Sequence, residues 1–257
     1  MNLRNKKVVV TGASSGIGFE LVKKLLAEKC TVVAVVKNHE PVKLKSQRLH
    51  VLSCDVSKPE ELDRLFVNAL AIMGTIDIFV ANAGFAYYEK LATPDWSHLS
   101  TIFQTNTLSV LYCAQKMNEI HEHMPYQFIT TASGMAHLSL PGYALYSSTK
   151  AAIRGFADAY RYELERGQIF QVVYPIATRT AFFKQAGNSP VPHPSQSSKA
   201  VASSILNGIK KKKNSIYTSR LFILTLTVGR LLPIITRLYT YVEYMRFKNW
   251  LKKKGDI

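Results

Sequence analysis

The sequence predicts an α/β protein, a parallel sheet with helices on both faces. Three observations carry this. Short, almost wholly apolar runs such as KKVVVTG (6–12) and TVVAVVK (31–37) recur along the chain and read as buried strands. Segments with apolar residues at helical spacing separate them. A glycine-rich turn, TGASSGIG (11–18), joins the first strand to the first helix.

After the first strand, IGFELVKKLLAEKC (17–30) has the apolar spacing of a helix. TVVAVVK and RLHVLSCDV (48–56) are the second and third strands. PEELDRLFVNALAIMG (59–74) opens with proline and acids and closes with glycine, the start and stop signals of a helix. IDIFVANAG (76–84) is a strand ending in a turn. Residues 97–123 are helical in pattern, YQFITTAS (126–133) is a strand, and a helix runs through YSSTKAAIRGFADAYRYELE (146–165). QIFQVVYP (168–175) is the sixth strand. Strands alternating with helices of this length imply right-handed crossovers. The loop AGNSPVPHPSQSS (186–198) reads as mobile, and follows the sixth strand, where ligand-binding loops of such sheets emerge.

The chain has 257 residues, 47% of them hydrophobic, which suits a single domain and excludes global disorder. Cys30, Cys54 and Cys113 are scattered, which argues against a disulfide framework or zinc site and suits a reducing compartment. The start, MNLRNKKVVVTG, lacks the apolar core and cleavage site of a signal peptide, so a cytoplasmic location is expected. The formal charge of +16 raises nucleic acid, anionic membrane and anionic small molecules as partners. No nucleic-acid module is visible, and charge alone gives only weak, salt-sensitive binding. His121, Glu122 and His123 are adjacent on a helix and do not face one another, so they read as a helix-end surface rather than a metal site.

Residues 1–218 are expected to form the domain, with a substrate loop at about 181–198, and 219–257 a C-terminal extension. Arg220, Arg230 and Arg237 interrupt its apolar stretches, and Pro233 breaks its helix, so no run approaches the roughly 20 residues of a bilayer span. Tyr239, Tyr241, Tyr244, Phe247 and Trp250 alternate with basic residues, including Arg246, Lys248 and Lys252–Lys254. That composition suits peripheral attachment to an anionic membrane; the alternative is that the segment packs on its own domain or a partner subunit.

In YSSTK (146–150), positions i and i+4 aim Tyr146 and Lys150 at one small volume. A nearby cation favours phenolate and makes the phenol a usable proton donor. TGASSGIG, NAG at 82–84, Asn106, Ser133 and YSSTK together resemble the short-chain dehydrogenase/reductase family in order and spacing, over about residues 6–180. The resemblance implies a single Rossmann-type domain with a doubly wound, seven-stranded parallel sheet. It implies Tyr146 as acid, Lys150 as the cation that lowers the Tyr146 pKa and holds the nicotinamide ribose, Ser133 as the hydrogen-bond donor to the substrate oxygen, and Asn106 as support for Lys150. The turn residues Gly12, Ser14, Ser15, Gly16, Ile17 and Gly18 would hold the cofactor phosphates. Asp55 and Val56 would flank the adenine, and Asn82 and Gly84 the turn beside it. Pro175 and Thr180 would lie near the carboxamide. The family's usual Pro-Gly is Pro175-Ile176 here, which puts the local backbone path in doubt. His137, between Ser133 and Tyr146, is expected to line the pocket.

NAD-selecting enzymes carry an acid at the end of the second strand; this chain has Val36 and then Lys37, which suits the 2′-phosphate of NADP(H). The expected reaction is reduction of a ketone, or oxidation of the matching secondary alcohol. The tail resembles that of reductases acting on lipid-like ketones, including 3-oxoacyl and 3-ketosphinganine compounds. The resemblance also implies a homodimer or tetramer built through the helices near 97–123 and 146–165. The rival reading is a non-catalytic nucleotide-binding regulator at a membrane surface.

Overall fold

The computed structural model describes residues 1–38 and 41–255; residues 256 and 257 of the predicted extension lie outside it. Strands β1 (Lys7–Thr11), β2 (Thr31–Val36), β3 (Leu49–Ser53), β4 (Ile78–Ala81), β5 (Gln127–Thr131) and β6 (Ile169–Tyr174) fall within the six predicted runs. Two short strands, β7 (Thr178–Arg179) and β8 (Gln196–Ser197), pair with each other, and β9 (Ser215–Tyr217) completes the main sheet. Its order is β3-β2-β1-β4-β5-β6-β9, and every pairing is parallel. The chain winds outward from β1 in both directions, so the ends of β1 and β4 border the crevice where doubly wound sheets bind ligands.

Helices α1 (Gly16–Ala27) and α7 (Ser198–Lys210) cover one face, and α2 (Pro59–Met73), α4 (Ser109–His121) and α5 (Ala144–Tyr160) the other. The alternation of the strands sorts the two cores. Val8 and Val10 join Leu21, Val22 and Ile205 on the first face; Val9 and Phe79 join Phe66 and Met117 on the second. Phe66, Phe79, Phe128 and Phe170 stack in a row with centroids 5.2, 5.5 and 5.2 Å apart. They tie α2 to three neighbouring strands.

The predicted helix over 97–123 is interrupted. α3 (Trp96–Phe103), capped by Asp95 accepting from the His98 amide at 3.0 Å, runs into a π-turn at Gln104–Leu108 before α4 begins. Such turns frequently mark functional positions, and this one contains Asn106. A third apolar cluster lies beyond the strand ends, around Tyr88, Tyr143, Tyr146, Phe183, Phe247 and Leu251. It receives α6 (Phe182–Gln185) from the substrate loop and α9 (Pro233–Lys254) from the extension. The loop is better fixed than its composition suggests: Ala186 and Ser189 are buried, and Ser189 Oγ lies 2.7 Å from the Tyr143 hydroxyl.

Helix α8 (Arg220–Leu231) precedes α9, and the two meet at a bend of 118°. The extension is divided in its packing. Phe247 and Leu251 are buried on the domain, whereas Leu224, Leu231, Leu232, Ile234 and Leu238 are exposed. Among the described residues, no single helix is long and apolar enough to cross a membrane.

Candidate active site

The glycine turn is shaped by contacts that admit no side chain. Gly12 has φ +64°, and a Cβ there would lie 2.9 Å from the Ala83 Cα. A Cβ on Gly18 would lie 2.1 Å from the Gly12 carbonyl oxygen. At Gly16, φ +57°, it would meet Thr180 Cγ2 at 3.2 Å, so the segment carrying Thr180 lies against the turn. Asn82 fixes the turn from the neighbouring strand. Its Nδ2 donates to the Thr11 and Gly12 carbonyls at 3.1 and 3.3 Å, while Thr11 Oγ1 accepts from the amides of Asn82 and Ala83, both at 3.0 Å. Ser15, the N-cap of α1, makes no side-chain cap bond, so the first amides of the helix face the crevice with their dipole uncompensated.

At the far end of the cleft, Ser133 closes β5 and accepts from the Met135 amide at 3.1 Å. Tyr146 and Lys150 lie one turn apart on α5, both buried. Lys150 Nζ donates to the Thr131 carbonyl at 2.9 Å and lies 5.6 Å from the centre of the Tyr146 ring. Burial pushes the Tyr146 phenol up to about 12, against the pull of a hydrogen bond with Ser133. Burial brings Lys150 down to about 7. The expected acidification of Tyr146 by Lys150 is therefore not built into the protein groups. The lysine's hydrogen bond goes to the Thr131 carbonyl instead of the phenol.

Asn106 is fully buried beneath this pair. Its Oδ1 accepts from the Phe85 amide at 3.0 Å, and its Nδ2 donates to the Phe85 carbonyl at 2.8 Å and Thr149 Oγ1 at 3.2 Å. It clamps the chain after Gly84 to α5, and a Cβ on Gly84 would lie 3.0 Å from its Oδ1 and 3.5 Å from Lys150 Nζ.

One cleft of about 470 Å³ joins the two ends. Gly12, Ser14, Ser15, Gly16 and Ile17 line one end, with Lys37, Asp55 and Val56 beside them. Asn82 and Gly84 line its middle, and Ser133, Tyr146, Lys150, Pro175 and Thr180 the other end. Of the predicted site residues, Gly18 and Asn106 do not reach it; both act from behind, by close approach and by clamping. Lys37 Nζ forms an ion pair with Asp55 Oδ2 at 2.9 Å. Burial acts to raise the Asp55 carboxyl, but hydrogen bonds from Lys37 and Ser57 outweigh it and hold the group below its usual range.

The chain matches the short chain dehydrogenase family over residues 6–190. It belongs to that family. Over 96% of its length it is 26% identical to the ketoacyl reductase HetN of a Nostoc species, covering 92% of that protein. It is 26% identical over 80% of its length to the 3-ketodihydrosphingosine reductase of Dictyostelium discoideum, covering 73% of that protein. Two solved structures share its fold. A short-chain dehydrogenase from Burkholderia cenocepacia in complex with NADP has TM-score 0.81 at 20% identity, covering 93% of this chain and 99% of that one. A member from Burkholderia phymatum in complex with NAD has TM-score 0.79 at 17% identity, covering 90% and 94%.

The nicotinamide dinucleotide that this short-chain dehydrogenase fold implies suits the residues present. The tight path of the turn is one that a Cβ at Gly12 or Gly18 would break, and the bare N-terminus of α1 beside the cleft suits a pyrophosphate. Ile176, where the family usually has glycine, takes no positive φ, so the backbone path accommodates it; the Gly134 amide donates to the Pro175 carbonyl at 2.7 Å. His137, expected in the pocket, lies outside it. Arg154 donates to its Nδ1 at 3.1 Å, the Tyr217 hydroxyl lies 3.3 Å from its Nε2, and burial and Arg154 lower its pKa. His121 and His123 point apart, to the Met117 carbonyl and to Glu165, and among the described residues no group of three potential ligands surrounds a metal site.

Sequence reasoning missed the apolar end of the cleft. Phe85, Met135, Phe182 and Phe183 line it beside Tyr146, and the Phe182 ring sits edge-on to Tyr146 at 5.4 Å. The signal lay in the paired phenylalanines that follow Thr180.

Proposed function

We propose that the chain is an NADP(H)-dependent reductase of a hydrophobic ketone of the 3-oxoacyl or 3-ketosphinganine kind, or the dehydrogenase of the matching secondary alcohol. The observation that carries the reading is the shared cleft: a dinucleotide cradle at one end, and at the other two hydroxyls beside a buried lysine among apolar walls. Reduction builds negative charge on the substrate oxygen. Ser133 and Tyr146 would both donate to that oxygen as charge develops. The cofactor supplies the hydride to the carbonyl carbon when bound. Tyr146 gives its proton to the oxygen; the phenolate left behind favours the charged form of Lys150, which would take its proton from solvent entering the cleft, and a further solvent proton would restore the phenol. Asn106 keeps Gly84 and α5 in register through these changes.

The preference for NADP(H) rests on Lys37. An ammonium has three donors and Asp55 occupies one. The others, on a half-exposed side chain at the end of β2, suit a 2′-phosphate, and Val36 supplies no acid to repel it. The apolar residues lining the Tyr146 end support a hydrophobic substrate, and the ketoacyl and 3-ketodihydrosphingosine relatives point the same way. The cytoplasmic, membrane-peripheral location and the dimer through the long helices belong to the same reading.

Ethyl 3-oxohexadecanoate with NADPH, followed by the loss of reduced-cofactor fluorescence, tests it. The unaltered chain should turn over and Tyr146→Phe should not. Equal rates in both would remove the catalytic assignment.

A further inference from the structure

The C-terminal elbow stands on the two segments that carry the catalytic hydroxyls. The Phe222 ring of α8 lies 3.1 Å from where a Cβ on Gly134 would sit, and Gly134 follows Ser133. α9 seats Phe247 against Tyr88, centroids 5.1 Å apart, and Tyr88 packs on Tyr143 at 4.6 Å, three residues before Tyr146. α9 also holds the loop behind α6: the Tyr239 hydroxyl donates to the His193 carbonyl at 3.3 Å, and Gly187 lies beside Trp250 and Lys254. Between these supports the helices close on each other. A Cβ on Gly229 would come within 2.5 Å of Thr236 Cγ2, so the elbow is a packed unit.

Its tip is apolar and bare. Leu231 is 78% exposed, and Leu232, Ile234 and Leu238 are exposed with it. Arg230 and Arg237 flank it, while the single acid of residues 219–255, Glu243, is buried against Arg246. Twelve residues of α8 at about 1.5 Å each reach about 18 Å, short of the roughly 30 Å of a hydrocarbon core. The bent pair can therefore wedge its apolar tip into a bilayer surface, with Arg230 and Arg237 beside the tip keeping their charges at headgroup level. Charge chooses among occupants: two like-charged basic elbows repel, whereas anionic lipid attracts both the arginines and the lysine cluster at the end of α9.

We infer that the elbow seats on an anionic bilayer and is the loading port of the enzyme, delivering a substrate whose chain is dissolved in the lipid to the Ser133–Tyr146 end of the cleft. This rests on the reductase reading above. It follows from the supports: whatever the tip engages is fixed relative to both hydroxyls and to the loop carrying Phe182 and Phe183. It also accounts for the investment of the last three dozen residues in a packed but uncovered structure.

The test compares the full chain with Leu231→Glu/Ile234→Glu, two exposed positions whose change leaves the folded core alone. Flotation with vesicles of phosphatidylcholine and phosphatidylserine should carry the unaltered chain and lose the variant by more than about tenfold. Reduction of ethyl 3-oxohexadecanoate in those vesicles should fall in parallel, while reduction of water-soluble ethyl acetoacetate stays the same. A variant that still reduces the vesicle-borne ketone at full rate overturns the loading port, as does an unaltered chain that does not float. If light scattering shows the variant dissociating a dimer, the tip's occupant is a second copy and the inference also falls. A chain that floats but reduces neither ketone fails the reductase reading and takes the loading port with it, while the bilayer contact stands on the flotation alone.

Discussion

Lys150 Nζ lies 5.6 Å from the centre of the Tyr146 ring and donates its hydrogen bond to the Thr131 carbonyl, 2.9 Å away. The pair is thus set for exchange of charge more than for standing acidification. Both side chains are buried, and each is pushed toward its neutral form, the phenol to about 12 and the amine to about 7. A neutral phenol is the form that can donate, and the phenolate it leaves favours a proton taken from solvent onto the neighbouring amine.

Tyr146→Phe removes the donor and little else, because the ring keeps its packing against Tyr143 and Phe182. Turnover should fall by about 10²–10⁴-fold while NADPH affinity is unchanged. Steady-state rates beside a fluorescence titration check this, and loss of binding would show a structural role instead.

Lys150→Met separates stability from activity. The folded value of about 7 lies below the ordinary 10.5, so between those values the unfolded chain holds a proton that the folded chain has released, and stability rises with pH across that window. Below it both states hold the proton and the burial penalty is complete. Methionine abolishes that penalty but strips the Thr131 carbonyl of its donor, leaving a net gain on the order of 1–2 kcal/mol near pH 7. Thermal melts should show a higher midpoint and a flatter pH slope, with turnover lost.

Gly18→Ala puts a methyl 2.1 Å from the Gly12 carbonyl oxygen. The overpacking should destabilise the protein by about 1–3 kcal/mol and weaken dinucleotide binding. Gly155→Ala is the control. Its Cβ meets nothing within 4 Å in the middle of α5, so helix propensity should stabilise the chain by about 0.5–1 kcal/mol. Paired denaturant titrations read both changes.

Lys37→Glu reverses the charge at the end of β2 and sets two carboxylates together, since Asp55 now holds the ammonium at 2.9 Å. NADPH affinity should fall relative to NADH by more than about tenfold. An unchanged ratio of the two dissociation constants would mean that Lys37 serves only Asp55.

The elements that sequence made legible are those whose signals are local. Val8–Val10 and Val32–Val36 announce buried strands by continuous apolar character, and the glycines of TGASSGIG mark a turn that the contacts at Gly12 and Gly18 require. β9 was not legible: three residues after a lysine run carry no periodicity, and Ser215–Tyr217 becomes a strand only because β6 offers its edge. The π-turn at Asn106 has the same helical pattern on either side. In the site, the residue types of YSSTK showed proximity but not protonation, which depends on how deeply α5 is buried. The partner of Lys150 is a backbone carbonyl, an atom every residue has. The tail's composition showed apolar and basic character. That Phe247 turns inward while Leu231 stays bare depends on a 118° bend that composition cannot express.

The most direct test of a dinucleotide-dependent enzyme is a fluorescence titration of the unaltered chain with NADPH and with NADH. Saturable binding of both is expected, with NADPH tighter by about tenfold or more, as a single added ion pair to the 2′-phosphate would give. A folded chain that binds neither would contradict the assignment, because the glycine cradle and the cleft that joins it to Tyr146 would then serve something other than a dinucleotide.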